Sequence, residues 1–144
     1  GVGQSEVAVA GMVDTFLMLQ VARTGDQLQG IKRGILELAD VIAITKADGD
    51  NEQAARVAAR ELSIAMKLIT SDTKKRRAPV LTCSSYTGAG LDELWNTVEK
   101  HRAELEAEGS LAARRSDQQR DWPWNVVRDA LLESPRTSRT RRDR

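Results

Sequence analysis

Apolar residues occur in short continuous runs at three places along the chain. The runs cover residues 13–21 (VDTFLMLQV), 41–45 (VIAIT) and 79–83 (PVLTC). Runs of this length that are apolar at successive positions are typical of strands buried on both faces, as in a parallel sheet. The pattern therefore predicts three parallel strands.

The segments around these runs have apolar residues at a helical spacing. Residues 52–69 and the residues after the turn at 88–90 repeat with a period near 3.6. Shorter helices are predicted over 6–12, capped by Ser5, and over 30–38. The apolar face of the first long helix comprises Ala55, Ala58, Leu62, Ala65 or Met66, and Ile69, and that of the second comprises Leu91, Leu94, Trp95, Val98 and Leu105. Strands that alternate with helices predict a doubly wound α/β sheet, of which this chain would form part.

The composition narrows the class of protein. The chain has 144 residues, 40% hydrophobic and 30% charged, which is typical of one soluble domain or a piece of one. No apolar run approaches the roughly 18 residues that a membrane span requires, so we expect a cytoplasmic protein with no membrane partner. A single cysteine (Cys83) and a single histidine (His101) exclude an intrachain disulfide and a thiolate or imidazole zinc site. We expect no metal ligands in this chain.

Basic and acidic side chains are distributed unevenly between the first 109 residues and the rest of the chain. Residues 1–109 carry 13 basic against 16 acidic side chains, whereas residues 110–144 carry 9 against 5. We expect a globular part over residues 1–108, then a polar linker and one more amphipathic helix over 109–134. The tail, residues 135–144 (PRTSRTRRDR), has no apolar residue to bury and is predicted to be disordered.

Polar residues follow two of the strands where each strand ends. Thr45-Lys46-Ala47-Asp48 comes after the second run and Cys83-Ser84-Ser85 after the third. In open α/β sheets, ligands bind beyond the carboxyl ends of the strands. A carboxylate there can accept two parallel hydrogen bonds from guanine, whose ring N1–H and exocyclic amine are adjacent donors. Adenine has an acceptor at N1 and would leave that carboxylate unpaired.

These residues therefore predict a guanine site. Asp48 would read the base, and the stem of Lys46 would lie across the base plane. Backbone amides near Ser84 and Ser85 would meet the guanine carbonyl oxygen. The alternative is a plain surface turn, because so short a motif also arises by chance. An apolar strand before the motif and a long helix after it favour the guanine site.

The residues TKAD and CSS resemble the guanine-specificity motif and the base-pocket motif of GTPases, with Ser85 where alanine is usual. More specifically, three segments resemble the MeaB family of G3E-class P-loop GTPases: residues 1–20, 25–42 and 45–51 (TKADGDN). That family chaperones the cobalamin-dependent methylmalonyl-CoA mutase and has also been labelled a lysine/arginine/ornithine transport ATPase or kinase. The resemblance covers roughly residues 1–132. It implies the C-terminal half of a three-layer, Rossmann-like P-loop NTPase fold, with a mostly parallel sheet and C-terminal helices.

The resemblance also implies cofactors and roles for residues. GTP or GDP would bind at Thr45, Lys46, Asp48, Cys83, Ser84 and Ser85. Gly1 would end the element that senses the γ-phosphate, and Gly3 to Glu6 would continue switch II. Gln4 is a candidate for positioning the attacking water, although Val2 directly follows the sensing glycine, where small GTPases place that residue. Residues 24–32 would be an additional switch that contacts the mutase through Gly25, Asp26, Gln29 and Lys32, so residues 1–108 read as a partial GTPase domain.

The chain departs from the family pattern in two respects. No Gly-x-x-x-x-Gly-Lys-[Ser/Thr] motif occurs in it, so the phosphate cradle and the hydroxyl that binds Mg²⁺ are absent from this sequence. We expect GTPase activity and Mg²⁺ binding only in an intact protein. The family continues into a helical arm that forms a homodimer, whereas this chain turns to Pro135-Arg136 and a basic tail, which argues against the same dimer here. These departures suggest a truncated product, a frame-shifted product or a fragment.

Other interpretations compete with this one. The chain could be a non-catalytic module that keeps the partner surface of a GTPase, or its arginine-rich tail could bind nucleic acid, an interpretation we rank lower because no aromatic residues interleave the basic ones. Asp26 and Lys32 could simply be solvated. Cys83 is expected to be a small buried residue rather than a nucleophile, and His101 a surface or packing residue on a distant helix.

Overall fold

The computed structural model describes residues 5–22, 31, 33–71 and 76–133. Strands and helices alternate along the chain, as the sequence predicts. In chain order the elements are α1 (Ser5–Ala10), β1 (Leu17–Val21), α2 (Arg33–Leu38), β2 (Val41–Thr45), a 3₁₀ turn (Gly49–Asn51), α3 (Glu52–Thr70), β3 (Val80–Thr82), α4 (Leu91–Ala107) and α5 (Ser110–Glu133).

The three strands form one parallel sheet in the order β1-β2-β3. Leu17 pairs with Val41, and Ile42 pairs with Val80. The central strand β2 is covered on both faces, because Val41 to Ile44 have no exposed surface. The prediction of three parallel strands is therefore confirmed, and the carboxyl ends of all three strands lie along one edge of the sheet.

Strand β1 differs from the prediction in its length and in its cover. It begins at Leu17 rather than at residue 13, because the Phe16 N–H donates to the Asp40 carboxylate at 2.8 Å. Leu19 is 60% exposed, and Leu17 and Val21 on the same face are exposed too. The described helices α3 and α4 pack over β2 and β3 instead. The expectation that the first strand is buried on both faces is therefore wrong for the described part of the chain.

Helix α3 packs its small residues against the sheet. Ala55, Ala58, Leu62 and Met66 are buried, as the helical spacing predicts. Alanine at two of these positions lets the helix axis approach the strands closely. Helix α4 differs from the expectation, since Leu91 and Trp95 are exposed and none of its residues is fully buried.

Helix α5 starts immediately after Gly109, where the sequence predicted a polar linker. The prediction of a linker is wrong, because a polar composition does not by itself indicate irregular structure. Ala, Arg and Gln, which dominate residues 112–120, are strong helix formers regardless of their polarity. No described helix is long and apolar enough to cross a membrane.

Candidate functional site

The carboxyl ends of β2 and β3 bring Asp48 and Ser84 together. The Ser84 hydroxyl donates to Asp48 Oδ2 at 2.5 Å, and Ser84 is completely buried. The same hydroxyl oxygen accepts the Thr87 N–H at 3.2 Å. Ser84 thus fixes the orientation of a carboxylate that lies half-buried at the sheet edge.

The turn between Thr45 and Asp48 is held from the side of β3. The Ala47 N–H donates to the Cys83 carbonyl at 3.0 Å, one step beyond the ladder bond from the Cys83 N–H to Ile44. Lys46 has a φ of +57°, in the left-handed region that costs a residue with a side chain about 1–2 kcal/mol. Its side chain is exposed. Surrounding contacts must therefore maintain this turn.

Asn51 supplies a contact from the other side of the turn, and sequence reasoning missed it. Its side-chain amide donates to the Ala22 carbonyl at 2.6 Å and to the Lys46 carbonyl at 2.9 Å. Its backbone N–H donates to the Asp48 carbonyl at 3.0 Å. An asparagine three residues after a turn aspartate was the available signal, because asparagine side chains often bond to nearby backbone.

The segment after β3 is a tight turn centred on Ser84. The Ser84 N–H donates to the Ala89 carbonyl at 2.9 Å, and the Gly88 N–H donates to the Ser84 carbonyl at 2.9 Å. The Ser84 amide is therefore engaged within the turn, and its contact with a guanine carbonyl stays a prediction. Ser85 is exposed at the same turn and keeps this role as a proposal.

Gly90 closes this turn against the strand before it. Its φ is +75°, and a Cβ built on it would lie 2.3 Å from the Thr82 carbonyl oxygen. Only glycine allows this approach of backbone to backbone.

Thr45 and Cys83 also belong to the predicted site, and they stabilise it through contacts with neighbouring strands. The Thr45 hydroxyl donates to the Gln20 carbonyl at 3.3 Å and so ties β2 to β1. Cys83 is 4% exposed, and burial raises the pKa of its thiol, which keeps it protonated and unreactive. Its backbone, rather than its sulfur, shapes the site.

A second polar cluster lies at the opposite, amino-terminal end of β2. The buried Asp40 carboxylate binds the Phe16 N–H and Arg114 Nη2, the latter at 3.1 Å, and His101 Nε2 lies 3.6 Å away. The other ring nitrogen of His101 is 2.8 Å from the Thr15 hydroxyl. His101 thus lies far from Cys83, as the sequence predicts, and its polar contacts in this cluster are the part that was not predicted. Nothing local in the sequence pairs residues so far apart.

Several predicted residues lie outside the described part of the chain. They are Gly1, Gln4, Gly25, Asp26, Gln29, Lys32 and the tail over 135–144. Among the described residues, no group of three or more histidine, cysteine or acidic side chains could hold a metal ion.

The site presents a fixed carboxylate beside an exposed lysine at the edge of a parallel sheet. Asp48 is held by Ser84 from one side, and the Lys46 turn is held by Asn51 from the other. The free acceptor positions of this carboxylate suit a planar ligand with adjacent N–H groups, such as guanine.

Comparison with known proteins gives consistent matches. A family model described as methylmalonyl-CoA mutase-associated GTPase MeaB matches residues 1–140. The chain is similar to a probable GTPase of Mycobacterium tuberculosis (strain ATCC 25618 / H37Rv), with 61% identity over 133 residues, 92% of this chain and 40% of that protein. It is also similar to the mitochondrial methylmalonic aciduria type A homolog of Mus musculus, with 44% identity over 95% of this chain and 33% of that protein.

GTPase ArgK of Escherichia coli (strain K12) is 42% identical over 92% of this chain and 40% of its own length. A solved structure described as an LAO/AO transport system kinase superposes with a TM-score of 0.77 at 37% identity, over 92% of this chain and 42% of that one. The predicted α/β class is thereby confirmed. The chain spans about two-fifths of the length of the mycobacterial relative.

Proposed function

Because the chain belongs to the family of the methylmalonyl-CoA mutase-associated GTPase MeaB, we propose that it supplies the guanine-binding part of a GTPase that assists methylmalonyl-CoA mutase. The observation that carries this proposal is the fixed Asp48 carboxylate. It lies at the carboxyl edge of a parallel sheet, where nucleotides bind in open α/β folds.

Asp48 selects guanine through two hydrogen bonds. The carboxylate accepts from the ring N1–H and from the exocyclic amine of the base. Adenine presents an acceptor at the first position, so binding it would leave buried polar groups unpaired. The Ser84 hydroxyl limits rotation of the carboxylate and thereby lowers the entropy cost of binding.

Lys46 covers the base on one face. Its exposed side chain has a four-carbon stem that can lie over an aromatic ring. The Ser85 amide is the donor we propose for the guanine carbonyl oxygen. These contacts bind and orient the base and perform no step of hydrolysis.

The phosphate cradle is the part of a GTPase that this sequence does not supply. GTP hydrolysis needs a backbone cradle, a lysine on the phosphates and a Mg²⁺ ligand, and the printed sequence has no Gly-x-x-x-x-Gly-Lys-[Ser/Thr] to supply them. We therefore expect GTP turnover by residues 1–144 alone to equal the uncatalysed background.

Nucleosides test the base site without involving phosphates. Titration of the ¹⁵N-labelled chain with guanosine should shift the amide resonances of Lys46, Asp48 and Ser85 in a saturable manner. Adenosine at the same concentrations should leave them in place. Equal responses to the two nucleosides, or none to guanosine, would overturn the proposal.

The partner surface is proposed at residues 24–32, with Gly25, Asp26, Gln29 and Lys32 facing the mutase and relaying the nucleotide state. What supports it is the resemblance of residues 25–42 to the family and the name of the matching family model. A chimera in which this chain replaces the matched 133 residues of the mycobacterial relative provides an assay. Asp26→Ala and Lys32→Ala should weaken the mutase's stimulation of GTP hydrolysis while basal hydrolysis stays nearly constant. Full stimulation in both variants would contradict this surface.

A further inference from the structure

Asn51 joins two backbone segments that belong to different elements. Ala22 directly follows the last residue of β1, and Lys46 directly follows the last residue of β2. The Asn51 side chain donates to the carbonyls of both, at 2.6 Å and 2.9 Å. One amide group thus connects the carboxyl end of β1 to the turn that carries the base-reading residues.

The chemistry of the amide makes this contact specific. Two carbonyl oxygens can only accept, so the NH₂ group of Asn51 must face them, and its two hydrogens serve one carbonyl each. Aspartate has the same shape but no donor in its ionised form, and it would place a carboxylate against two carbonyl oxygens. No other single small side chain supplies two donors at this reach.

The two hydrogen bonds from the Asn51 side chain, called the clamp below, act where the backbone conformation is least favourable. Lys46 adopts a left-handed φ of +57°, and the Ala47 N–H is bonded to Cys83 on the opposite side. Without the Asn51 side chain the Lys46 carbonyl would lose this donor and its link to Ala22, and Lys46 would relax toward the more common extended or right-handed conformations. Asp48 lies two residues further on, so the position of its carboxylate depends on this turn.

We propose that Asn51 is a positioning residue that fixes the base-reading turn to the end of β1 and thereby sets the preference for guanine. It touches no part of the base. The proposal rests on the proposed guanine site and goes beyond it, because it makes guanine selectivity depend on a side chain bonded to β1. Binding of guanine at the turn should therefore change the position of the Ala22 carbonyl, and a change at that carbonyl should change the affinity for guanine.

The experiment uses the full chain with Asn51→Asp and Asn51→Ala. Gln53→Asp is the matched control, since it adds the same charge two residues away at an exposed position of α3. Without ligand, the carbonyl ¹³C resonances of Ala22 and Lys46 should both move in the Asn51 variants and stay in place in the control. Movement of only one carbonyl, or of neither, would overturn the clamp whether or not any nucleoside binds.

The second readout is base selectivity. Inosine lacks the exocyclic amine of guanosine, so the ratio of their dissociation constants measures how well Asp48 is placed. The Asn51 variants should bind guanosine about tenfold more weakly, the effect of losing one good hydrogen bond, and the guanosine-to-inosine preference should fall toward unity. A general loss of stability would weaken the binding of guanosine and inosine alike and leave the ratio of their dissociation constants unchanged. That result would refute a positioning role. Failure of the wild-type chain to prefer guanosine over adenosine would refute the proposed function, and the carbonyl measurement would still decide the clamp.

Discussion

Arg114 on α5 and Asp40 at the start of β2 form an ion pair, with Nη2 of the guanidinium 3.1 Å from Oδ1 of the carboxylate. The two residues are 74 positions apart in sequence. The Asp40 side chain is only 5% exposed, and it also accepts the Phe16 N–H. The last described helix is thereby fixed to the sheet through a buried charge.

Replacing Arg114 with alanine should destabilise the fold strongly. The change leaves a buried carboxylate without its main cationic partner, and breaking a buried pair from one side costs about 3 kcal/mol. Arg115→Ala is the matched control, because Arg115 pairs with Asp14 in a much more exposed position. Urea unfolding should show a clear loss of stability for the first variant and a smaller loss for the second. Equal losses would mean that burial of the pair is unimportant.

Asp14 should contribute an acid-sensitive part of the stability. Its hydrogen bonds with Arg115 hold the pKa of the Asp14 carboxyl below its ordinary value, against the opposing effect of burial. A lowered folded-state pKa gives stability that is complete above the unfolded pKa, near about 4, and is lost as the pH falls through the folded value. Asp14→Asn should therefore flatten the fall in melting temperature below about pH 4. An unchanged slope would show that other carboxylates account for it.

Two neighbouring glycines should respond differently to the same substitution. Gly88 and Gly90 both have positive φ, at +78° and +75°. A Cβ at Gly88 meets nothing within 4 Å, whereas one at Gly90 would lie 2.3 Å from the Thr82 carbonyl oxygen. Gly88→Ala should cost about 1 kcal/mol from backbone strain, and Gly90→Ala should cost roughly 1–3 kcal/mol more from the clash. Thermal unfolding of the pair measures the difference, and equal costs would contradict the close approach.

Asp48→Asn should exchange guanosine for xanthosine. The asparagine carbonyl still accepts from the ring N–H, but its amide faces the guanine amine donor to donor. Xanthine has a carbonyl oxygen at that position and restores the pair. A mispaired contact costs about 1–3 kcal/mol, so the affinities should change by about tenfold or more in opposite directions. A variant that still prefers guanosine in competition would show that Asp48 does not touch the base.

Ser84→Ala should weaken guanosine binding without changing the residue that reads the base. The buried hydroxyl both donates to Asp48 and accepts the Thr87 N–H, so its loss frees the carboxylate to rotate. Ser63→Ala is a fair comparison, since the Ser63 hydroxyl donates within α3 to the Ala59 carbonyl. Calorimetric titration with guanosine should separate the two variants, and similar affinities would argue against preorganisation by Ser84.

The sequence predicts those parts of the molecule that depend on local order. Strand β2 and helix α3 were predictable because burial imposes a period on consecutive residues, and Asp48 and Ser84 follow from where the strands end. Asn51 was within reach of the same reasoning through its position three residues after Asp48, although the sequence does not show which carbonyls it would bind. The Asp40–Arg114 pair was not predictable, because polar contacts between distant segments impose no period on the chain.

Helix α5 is attached to the rest of the described structure near its amino-terminal end. It is about 36 Å long at 24 residues, and its first part is fixed through Arg114 and Gln118. From residue 119 to residue 132 every side chain is exposed. Pro123 has no N–H, so the Gln119 carbonyl lacks its helical hydrogen bond, and the helix is least stiff at that point. A force applied to residues 119–132 would therefore bend the helix near Pro123 before it rotated the part attached through Arg114 and Gln118. The contacts of Asp40 would be protected from that force.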